Sequence, residues 1–278
     1  METVGGQAVI EGVMMMSKNK IATAVRKENG DILTKVDKFD SVKNKTKILQ
    51  LPFLRGVISL FEMMYIGIKA LTWSANQQDE DAPLGNWEIA GTIIVSLIAA
   101  LAIFVFLPYG LTYVITQEYS LIFNIIDGIF RLLIFVVYIS GIGMMKDIKT
   151  IFQYHGAEHK AVNCFEKKKE LTTKNVMECS KIHPRCGTSL IVFVLGLSIA
   201  LFSILKSPVW WVNVGWRIVL IPVIAGISYE VIKFSARRMD NFLLKMIITP
   251  GLWTQKLTTN NPTKQQVEVA IKALKEAV

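Results

Sequence analysis

A run of 19 residues without a charged side chain, Ile89–Leu107, is too apolar to lie on the surface of a soluble protein. As a helix it would measure about 28 Å, which is close to the thickness of a bilayer's hydrocarbon core. Pro108 follows and is expected to end that helix. Comparable apolar runs lie at about 121–145, 188–205 and 214–234. The sequence therefore predicts a mainly α, polytopic membrane protein with a four-helix transmembrane bundle.

The four predicted spans form two pairs, transmembrane helices 1 and 2 in the segment 88–145 and transmembrane helices 3 and 4 in the segment 188–235. The second span contains two opposite charges, Asp127 and Arg131, four positions apart. Residues at this spacing lie on the same side of a helix, so we expect an ion pair within the span. Its role is read as structural in preference to transport.

Composition supports an integral membrane protein, since 52% of the residues are hydrophobic and the mean hydropathy is +0.41. The net charge of +9 does not point to nucleic acid, because the lysines are spread over several segments. Basic residues that flank membrane spans account for the charge. Membrane lipid is therefore the expected partner, and no nucleic acid is expected.

Basic residues are distributed unevenly around the predicted spans. The segment 146–187 contains nine of them, whereas the connections 108–120 and 206–213 together contain one. Basic segments are retained in the cytoplasm during membrane insertion. We therefore expect a multi-pass protein of the cell membrane with both termini in the cytoplasm.

The segment 1–47 predicts a small cytoplasmic β element and a linker. Hydrophobic and polar residues alternate from Ile21 to Val25 and again from Ile32 to Val36, as in strands with one buried face. The residues between these runs, 28–31, read Glu-Asn-Gly-Asp and have the composition of a hairpin turn. The segment thus predicts an antiparallel pair of strands.

Two further segments predict amphipathic helices. The segment 48–87 is apolar but carries Arg55, Glu62 and Lys69 at intervals of seven, which places a narrow polar stripe along a helix. We expect it to lie in the membrane interface and not to span the bilayer. The segment 236–278 is expected to contain an interfacial part and a C-terminal amphipathic helix, which begins after a capping box at Thr263.

The segment 146–187 is predicted to be a cytoplasmic loop that carries the chemistry. All the histidines and all the cysteines of the chain lie in it: His155, His159, His183, Cys164, Cys179 and Cys186. Imidazole and thiol groups bind transition metals and react near neutral pH. Because the cysteines are odd in number and lie beside histidines, thiols or metal ligands are expected in place of a disulfide framework.

The residues 155–159 read H-x-x-E-H, which is also the residue order of inverzincin metallopeptidases. Four positions make about one helical turn, so His155 and His159 project from one face and can bind a single ion. Glu158 lies about 60° from that face. It is the expected catalytic base, or a group that orients a histidine.

A second group of potential ligands, His183 and Cys186, follows in the sequence His-Pro-Arg-Cys. With His155 and His159, either one would complete a three-ligand site for a divalent transition metal, most simply zinc, with one position left open. Binding by all four would close the site and indicate a structural ion. Arg185 is the expected contact for an anionic group of a substrate.

Cys186 precedes the third predicted span, and a helix N-terminus favours the thiolate. Nucleophilic chemistry at Cys186 without a metal is therefore an alternative. Cys164 and Cys179 are read as small buried hydrophobic residues. Glu166 lies on the histidine face but about 10 Å beyond His159, so it is expected to contact substrate or orient a ligand. Glu230, near the cytoplasmic end of the fourth span, is expected to face the same site.

Five motifs resemble the YqhQ-like family of bacterial membrane proteins of unknown function, sometimes described as predicted metal-dependent enzymes: GGQAVIEGVMM, YHGAEHK, HPRCGTS, SYEVIKFSAR and QKLTT…QVEVAIKALK. The resemblance covers nearly the whole chain and implies several spans with a cytoplasmic motif region. By this resemblance the residues of interest are Gln7, Glu11, His155, Glu158, His159, His183, Arg185, Cys186 and Glu230. Met16 departs from the family, which has an arginine there.

The function that these patterns indicate is metal-dependent hydrolysis at the cytoplasmic surface, with a lipid-linked or membrane-protein substrate. Glu158 and Arg185 are the expected catalytic residues. One alternative is a non-enzymatic membrane scaffold with a structural metal site, and another is a cysteine-dependent hydrolase. A transporter is disfavoured because the spans contain few ionisable residues and no inverted repeat is evident.

Overall fold

A computed structural model describes residues 4–79, 85–118, 120–204, 207, 209–236 and 241–278 of the 278-residue chain. Parts of five predicted segments lie outside the described residues, namely 1–3 in the segment 1–47, 80–84 in the segment 48–87, 119 in the segment 88–145, 205, 206 and 208 in the segment 188–235, and 237–240 in the segment 236–278. The strands are β1 (Gly5–Val9), β2 (Gly12–Met16), β3 (Lys20–Arg26) and β4 (Ile32–Lys38). The helices are α1 (Leu54–Gln78), α2 (Asn86–Leu101), α3 (Leu107–Ile115), α4 (Leu121–Ile142), α5 (Lys146–Glu166), α6 (Thr173–Glu178), α7 (Gly187–Ile204), α8 (Trp210–Ala236), α9 (Phe242–Thr258) and α10 (Lys264–Ala277).

The four strands form one antiparallel sheet in the order β1-β2-β3-β4, which confirms the predicted N-terminal β element. Both faces of the central strands are buried, because successive side chains point to opposite sides. Val13, Met15 and Ala22 pack against α5 and α10 on one face. Met14 and Val25 pack on the other face, with side chains of α1.

Helix α10 is the amphipathic C-terminal helix expected from the sequence. Thr263 and Gln266 form its capping box, in which the side-chain oxygen of each residue accepts a hydrogen bond from the backbone N–H of the other. Its apolar face, which includes Val267 and Leu274, is fully buried against the sheet and α5. We call β1–β4, α5, α6 and α10 together the sheet unit.

Three helical stretches are long and apolar enough to cross a membrane: Asn86–Ile115, Leu121–Ile142 and Trp210–Ser235. They correspond to the first, second and fourth predicted spans. Helix α7 is also apolar but shorter, so the predicted four-helix transmembrane bundle is not confirmed. Helix α1 is not among these stretches, and its N-terminal part packs against α8.

The prediction that Pro108 ends the first span is wrong. The helix continues to Ile115 through a π-helical turn, Ala102–Phe106. At the end of this turn the N–H of Leu107 donates to the carbonyl of Ala102, five residues earlier. Hydrogen bonds of this kind span five residues where an α-helix spans four. This wider turn lets the helix continue through Pro108, which has no N–H to donate.

The segment 146–187 is mostly helical and not an extended loop. Helix α5 occupies 21 residues of it, and the short α6 follows. Tyr154, Ala157 and Ala161 on α5 are buried in the core of the sheet unit. The helix is therefore held by its apolar face against the sheet and α10, and this packing fixes the direction of its histidines.

Candidate metal centre

His155 and His159 project from one face of α5, as their spacing predicts, and their ring centroids lie 4.4 Å apart. Gly156 lies between them in the sequence. Because it has no side chain, the backbone that follows the C-terminus of α9 can approach α5 closely. A Cβ atom at this position would lie 2.0 Å from the carbonyl oxygen of Asn260. The N–H of Asn260 donates to the carbonyl of Phe152 at 2.9 Å, which fastens this segment to α5.

Backbone carbonyls determine which nitrogen of each imidazole is free. Nδ1 of His155 lies 2.9 Å from the carbonyl oxygen of Thr258, and Nδ1 of His159 lies 2.7 Å from that of Lys181. A carbonyl only accepts hydrogen bonds, so both Nδ1 atoms carry the proton and donate. In the neutral imidazoles the two Nε2 atoms are then available as ligands.

Cys186 reaches the same point from a turn that precedes α7. The side chain of Gln255 on α9 accepts from the N–H of His183 and donates to its carbonyl, at 2.9 and 2.8 Å, and so fixes the turn. Sγ of Cys186 lies 3.3 Å from Nε2 of His155 and 3.1 Å from Oγ1 of Thr188. The turn thus brings the thiol of Cys186 to the unprotonated nitrogen of His155.

The three ligand atoms of His155, His159 and Cys186 all lie within 4.8 Å of one another. Ligands around a tetrahedral zinc ion are about 3.5 Å apart, so a contraction of at most about 1.3 Å would allow coordination. Two imidazole nitrogens and one thiolate form a donor set that suits zinc and leaves a fourth position open. The residues therefore fit a divalent transition metal.

Glu158 is 4% exposed, and its Oε2 lies 3.4 Å from Nε2 of His159. It packs beside β1, where a Cβ atom at Gly6 would lie 3.0 Å from its Cγ. A buried carboxylate next to the free edge of a ligand histidine is placed to exchange a proton with a group bound there.

His183, predicted as a possible ligand, does not join the three ligand atoms. Its Nδ1 accepts from the N–H of Arg185 at 3.3 Å, and its Nε2 lies 3.2 Å from Oε2 of Glu166. Burial lowers the pKa of His183, while the carboxylate of Glu158 acts in the opposite direction. The His183 ring centroid lies 6.0 Å from that of His159. A neutral imidazole that donates from Nε2 to Glu166 satisfies both contacts, so both ring nitrogens of His183 already have partners.

Glu166 also forms an ion pair with Arg185, whose Nη2 lies 3.5 Å from the carbonyl of Val4. Both side chains are partly exposed, in contrast to Glu158. Glu166 therefore contacts two residues of the His-Pro-Arg-Cys turn and does not reach the histidine pair. Arg185, predicted to hold an anionic substrate group, lies at the exposed edge of the centre.

The other predicted residues lie further from the centre. The hydroxyl of Tyr154 donates to Oε2 of Glu11 at 3.2 Å, and burial together with this carboxylate raises the pKa of Tyr154. Gln7 packs against α1, since a Cβ atom at Gly67 would lie 2.6 Å from its Oε1. Glu230 does not face the centre, because Arg55 of α1 binds its carboxylate through two nitrogens.

Cys164 and Cys179 are buried in the core of the sheet unit, as expected for small hydrophobic residues. Sγ of Cys179 contacts the carbonyl of Asn175 at 3.3 Å, and Sγ of Cys164 lies 3.7 Å from that of Glu170. Burial and the neighbouring Cys179 raise the pKa of Cys164 to about 11. Neither sulfur belongs to the group of ligand atoms.

Sequence reasoning missed the groups that orient the ligands: the carbonyls of Lys181 and Thr258 and the side chain of Gln255. A backbone carbonyl leaves no trace in the residue types around it. However, Gln255 and Thr258 lie in QKLTT, one of the motifs on which the family resemblance rests. This motif follows the last predicted span, and it was the one feature of the sequence that could have indicated these orienting groups.

The fold and the centre define a class of protein that combines helices able to cross a membrane with a histidine- and cysteine-bearing sheet unit. Residues 51–278 match the family described as "Protein of unknown function (DUF1385)", and the chain belongs to this family. It is similar to the "Uncharacterized protein YqhQ" of Bacillus subtilis (strain 168). The two are 35% identical over 292 aligned positions, which cover 98% of this chain and 91% of the relative. No solved structure matches the chain.

Proposed function

We propose that this protein is a membrane-embedded, metal-dependent hydrolase whose centre faces the cytoplasm. One observation carries the proposal: the ligand atoms of His155, His159 and Cys186 lie within 4.8 Å of one another. Two backbone carbonyls accept from Nδ1 of the imidazoles, which leaves Nε2 of each ring free to act as a ligand. An arrangement that fixes both tautomers in advance favours metal binding over incidental packing.

A divalent cation held there, zinc being the simplest choice, would supply a Lewis acid that polarises a carbonyl or phosphoryl oxygen. Glu158 accepts the proton of the attacking water and then delivers it to the leaving group. Arg185 is at the exposed edge and binds an anionic group of the substrate. His183 and Glu166 hold Arg185 and the turn in position.

Membrane location and orientation belong to the same proposal. The three long apolar helices support a multi-pass protein, and the basic segment around the centre favours the cytoplasmic side. Helix α1 exposes Phe61, Met64 and Tyr65, as expected of a helix that rests in the membrane interface. A centre next to this surface is suited to a lipid-linked or membrane-protein substrate.

Metal content tests the first step. The protein is purified in detergent without chelator, and bound metals are measured by inductively coupled plasma mass spectrometry. We expect about one zinc, manganese or iron ion per chain, falling at least about tenfold in His159→Ala. Glu170→Ala, which removes an exposed carboxylate outside the ligand group, is the matched control and retains the ion. Metal-free wild-type protein would overturn the proposal.

Glu158→Gln separates an enzyme from a scaffold with a structural ion. The variant is isosteric, so we expect it to keep the metal while hydrolysis of chromogenic esters, amides and phosphate esters falls at least about 100-fold. Wild-type protein that binds metal but hydrolyses none of these compounds, in micelles or in vesicles, would support the scaffold instead.

A cysteine-dependent hydrolase is the second function with a specific observation in its favour. Nε2 of His155 lies 3.3 Å from Sγ of Cys186, and Nδ1 is oriented by the carbonyl of Thr258. These contacts resemble a nucleophile, its base and an orienting group. In that case activity survives metal removal and disappears in Cys186→Ser, whereas the metal-dependent reaction disappears with the metal.

A further inference from the structure

A group of buried charges lies between α4 and α8, away from the metal centre. Nη1 of Arg217 is 2.8 Å from Oδ2 of Asp127, and Nε of Arg131 is 3.1 Å from the same oxygen. Nη2 of Arg217 also donates to Oδ1 of Asn124 at 3.1 Å. The ion pair between Asp127 and Arg131 was expected from the sequence, whereas the participation of Arg217 was not.

This group carries an uncompensated positive charge, since two arginines share one aspartate. Arginine stays protonated in proteins, so neutralisation by proton loss is not available. In the described residues from Gly85 to Ile142 and in α7 and α8, the other acidic side chains are Glu88 in the first turn of α2, the exposed Glu118 between α3 and α4, and Glu230. Glu230 is bound by Arg55 and does not contact the group. In helices that cross the membrane in the proposed function, one excess charge requires a counter-ion.

Three nitrogens of the two arginines are also without a hydrogen bond. Nε and Nη2 of Arg131 and Nε of Arg217 are buried and have no hydrogen-bond partner, and the residues are only 8% and 4% exposed. Nε of Arg131 is paired with Asp127 by charge alone, and Oδ1 of Asp127 also lacks a hydrogen bond. Each such donor costs free energy in an apolar surrounding unless an acceptor is supplied. Water could supply acceptors, but it would leave the excess charge uncompensated.

The surroundings restrict the size of the missing acceptor. The guanidinium carbon of Arg217 lies 4.8 Å from the ring centroid of Phe202 and 5.1 Å from that of Tyr109, so aromatic rings flank it closely. Arg131 lies 5.6 Å from the ring of Phe202. Rings packed at these distances exclude the acidic helix of another protein, so the acceptor has to be small.

We propose that Arg131 and Arg217 bind one small monovalent anion with the chemistry of chloride. One negative charge neutralises the group, and one acceptor within reach of both guanidinium groups satisfies the unused donors. Fifteen residues of helix between Asp127 and the end of α4 correspond to about 22 Å, so this anion site is distinct from the metal centre.

The site is tested by binding of radioactive chloride to the purified full-length chain in detergent. In equilibrium dialysis we expect about one chloride per wild-type chain. The melting temperature is expected to rise by about 5 °C when gluconate is replaced by 300 mM chloride at constant ionic strength. Wild-type protein that binds no chloride, or that melts at the same temperature in both salts, would overturn the site.

Asn124→Asp provides the sharpest variant, because it adds the missing negative charge beside Nη2 of Arg217 and keeps both arginines. It also removes the amide N–H groups that donate to the carbonyls of Ser120 and Phe202. We expect it to abolish chloride binding and the dependence of the melting temperature on chloride. Asn44→Asp makes the same change at an exposed position and keeps both. Chloride binding that persists in Asn124→Asp contradicts the assignment. Insensitivity to chloride combined with loss of stability on delipidation would instead identify a lipid phosphate as the counter-ion.

Metal binding at the centre and chloride binding between α4 and α8 can be tested separately. Chelators remove the cation at the centre and leave chloride binding unchanged, because the two sites share no residue. Loss of chloride binding on chelation would mean that the group depends on the metal centre, and it would count against a separate anion site.

Discussion

Sγ of Cys186 and Nε2 of His155 lie 3.3 Å apart, although 31 positions separate the two residues along the chain. His155 is held by α5 and the carbonyl of Thr258, while Cys186 is held by the turn that Gln255 fastens to α9. Three parts of the chain therefore have to meet before the ligands converge. The centre therefore depends on tertiary packing as much as on the ligand residues themselves.

Alkylation should distinguish the three thiols. After metal removal at pH 8, we expect iodoacetamide to modify Cys186 at least about ten times faster than Cys164. With its pKa raised to about 11, only about one Cys164 thiol in a thousand is ionised at that pH. Zinc should protect Cys186, as measured by mass spectrometry of peptides. Faster labelling of Cys164, or labelling of Cys186 that zinc does not slow, would contradict this expectation.

Gly156→Ala should weaken metal binding without altering a ligand. Its Cβ atom would lie 2.0 Å from the carbonyl of Asn260, so the segment that presents the Thr258 carbonyl to His155 has to move. We expect zinc affinity to fall about 10–100-fold in a competition titration, with the helical circular dichroism preserved. Gly141→Ala is the matched control, because its Cβ atom meets nothing within 4 Å. Equal affinities in the two variants would rule out this role for the close approach.

Leu274→Ala should destabilise the sheet unit. Leu274 is fully buried between α10, the sheet and α5, and truncation leaves a cavity. We expect a loss of about 2–4 kcal/mol, measured as the free energy of unfolding in denaturant titrations in detergent. The neighbouring exposed Lys275→Ala should change it by less than about 0.5 kcal/mol. A similar loss in both variants would indicate that α10 is not docked as described.

Arg55 and Glu230 should be energetically coupled. The guanidinium of Arg55 binds both carboxylate oxygens of Glu230 and links α1 to α8, but both side chains are partly exposed. In a double-mutant cycle of Arg55→Gln and Glu230→Gln, we expect a coupling free energy of about 1 kcal/mol from thermal or chemical unfolding. Strictly additive effects of the two substitutions would show that the pair does not stabilise the contact between these helices.

Local patterns account for the features that the sequence predicted well. The alternation in the segments that form β3 and β4 was sufficient to predict their antiparallel pairing, although both faces of β3 are buried and not one. The spacing of His155 and His159 needs only a helix to place both rings together. The Thr263 capping box is likewise a local arrangement of a few residues. Each of these features depends on residues that are neighbours in the chain, and for this reason their types and spacing were sufficient.

The remaining features depend on partners that are distant in sequence. His183 and Cys186 were equally plausible ligands until the turn placed Glu166 and Arg185 on either side of the His183 imidazole. Glu230 was expected to face the centre, but Arg55, 175 positions earlier, binds it. Pro108 was expected to end a helix, and only the π-helical turn before it shows why the helix continues.

The contact of α10 with β2 and β3 has a consequence for biosynthesis. Arg26 at the end of β3 reaches the carbonyl of Gln265, so a ribosome has to translate 239 further positions before the sheet receives its cover. Until then the nascent strands expose an apolar face in a cell where aggregation competes with folding. The interval between the synthesis of β3 and that of α10 is therefore the stage at which this sheet is most exposed to aggregation.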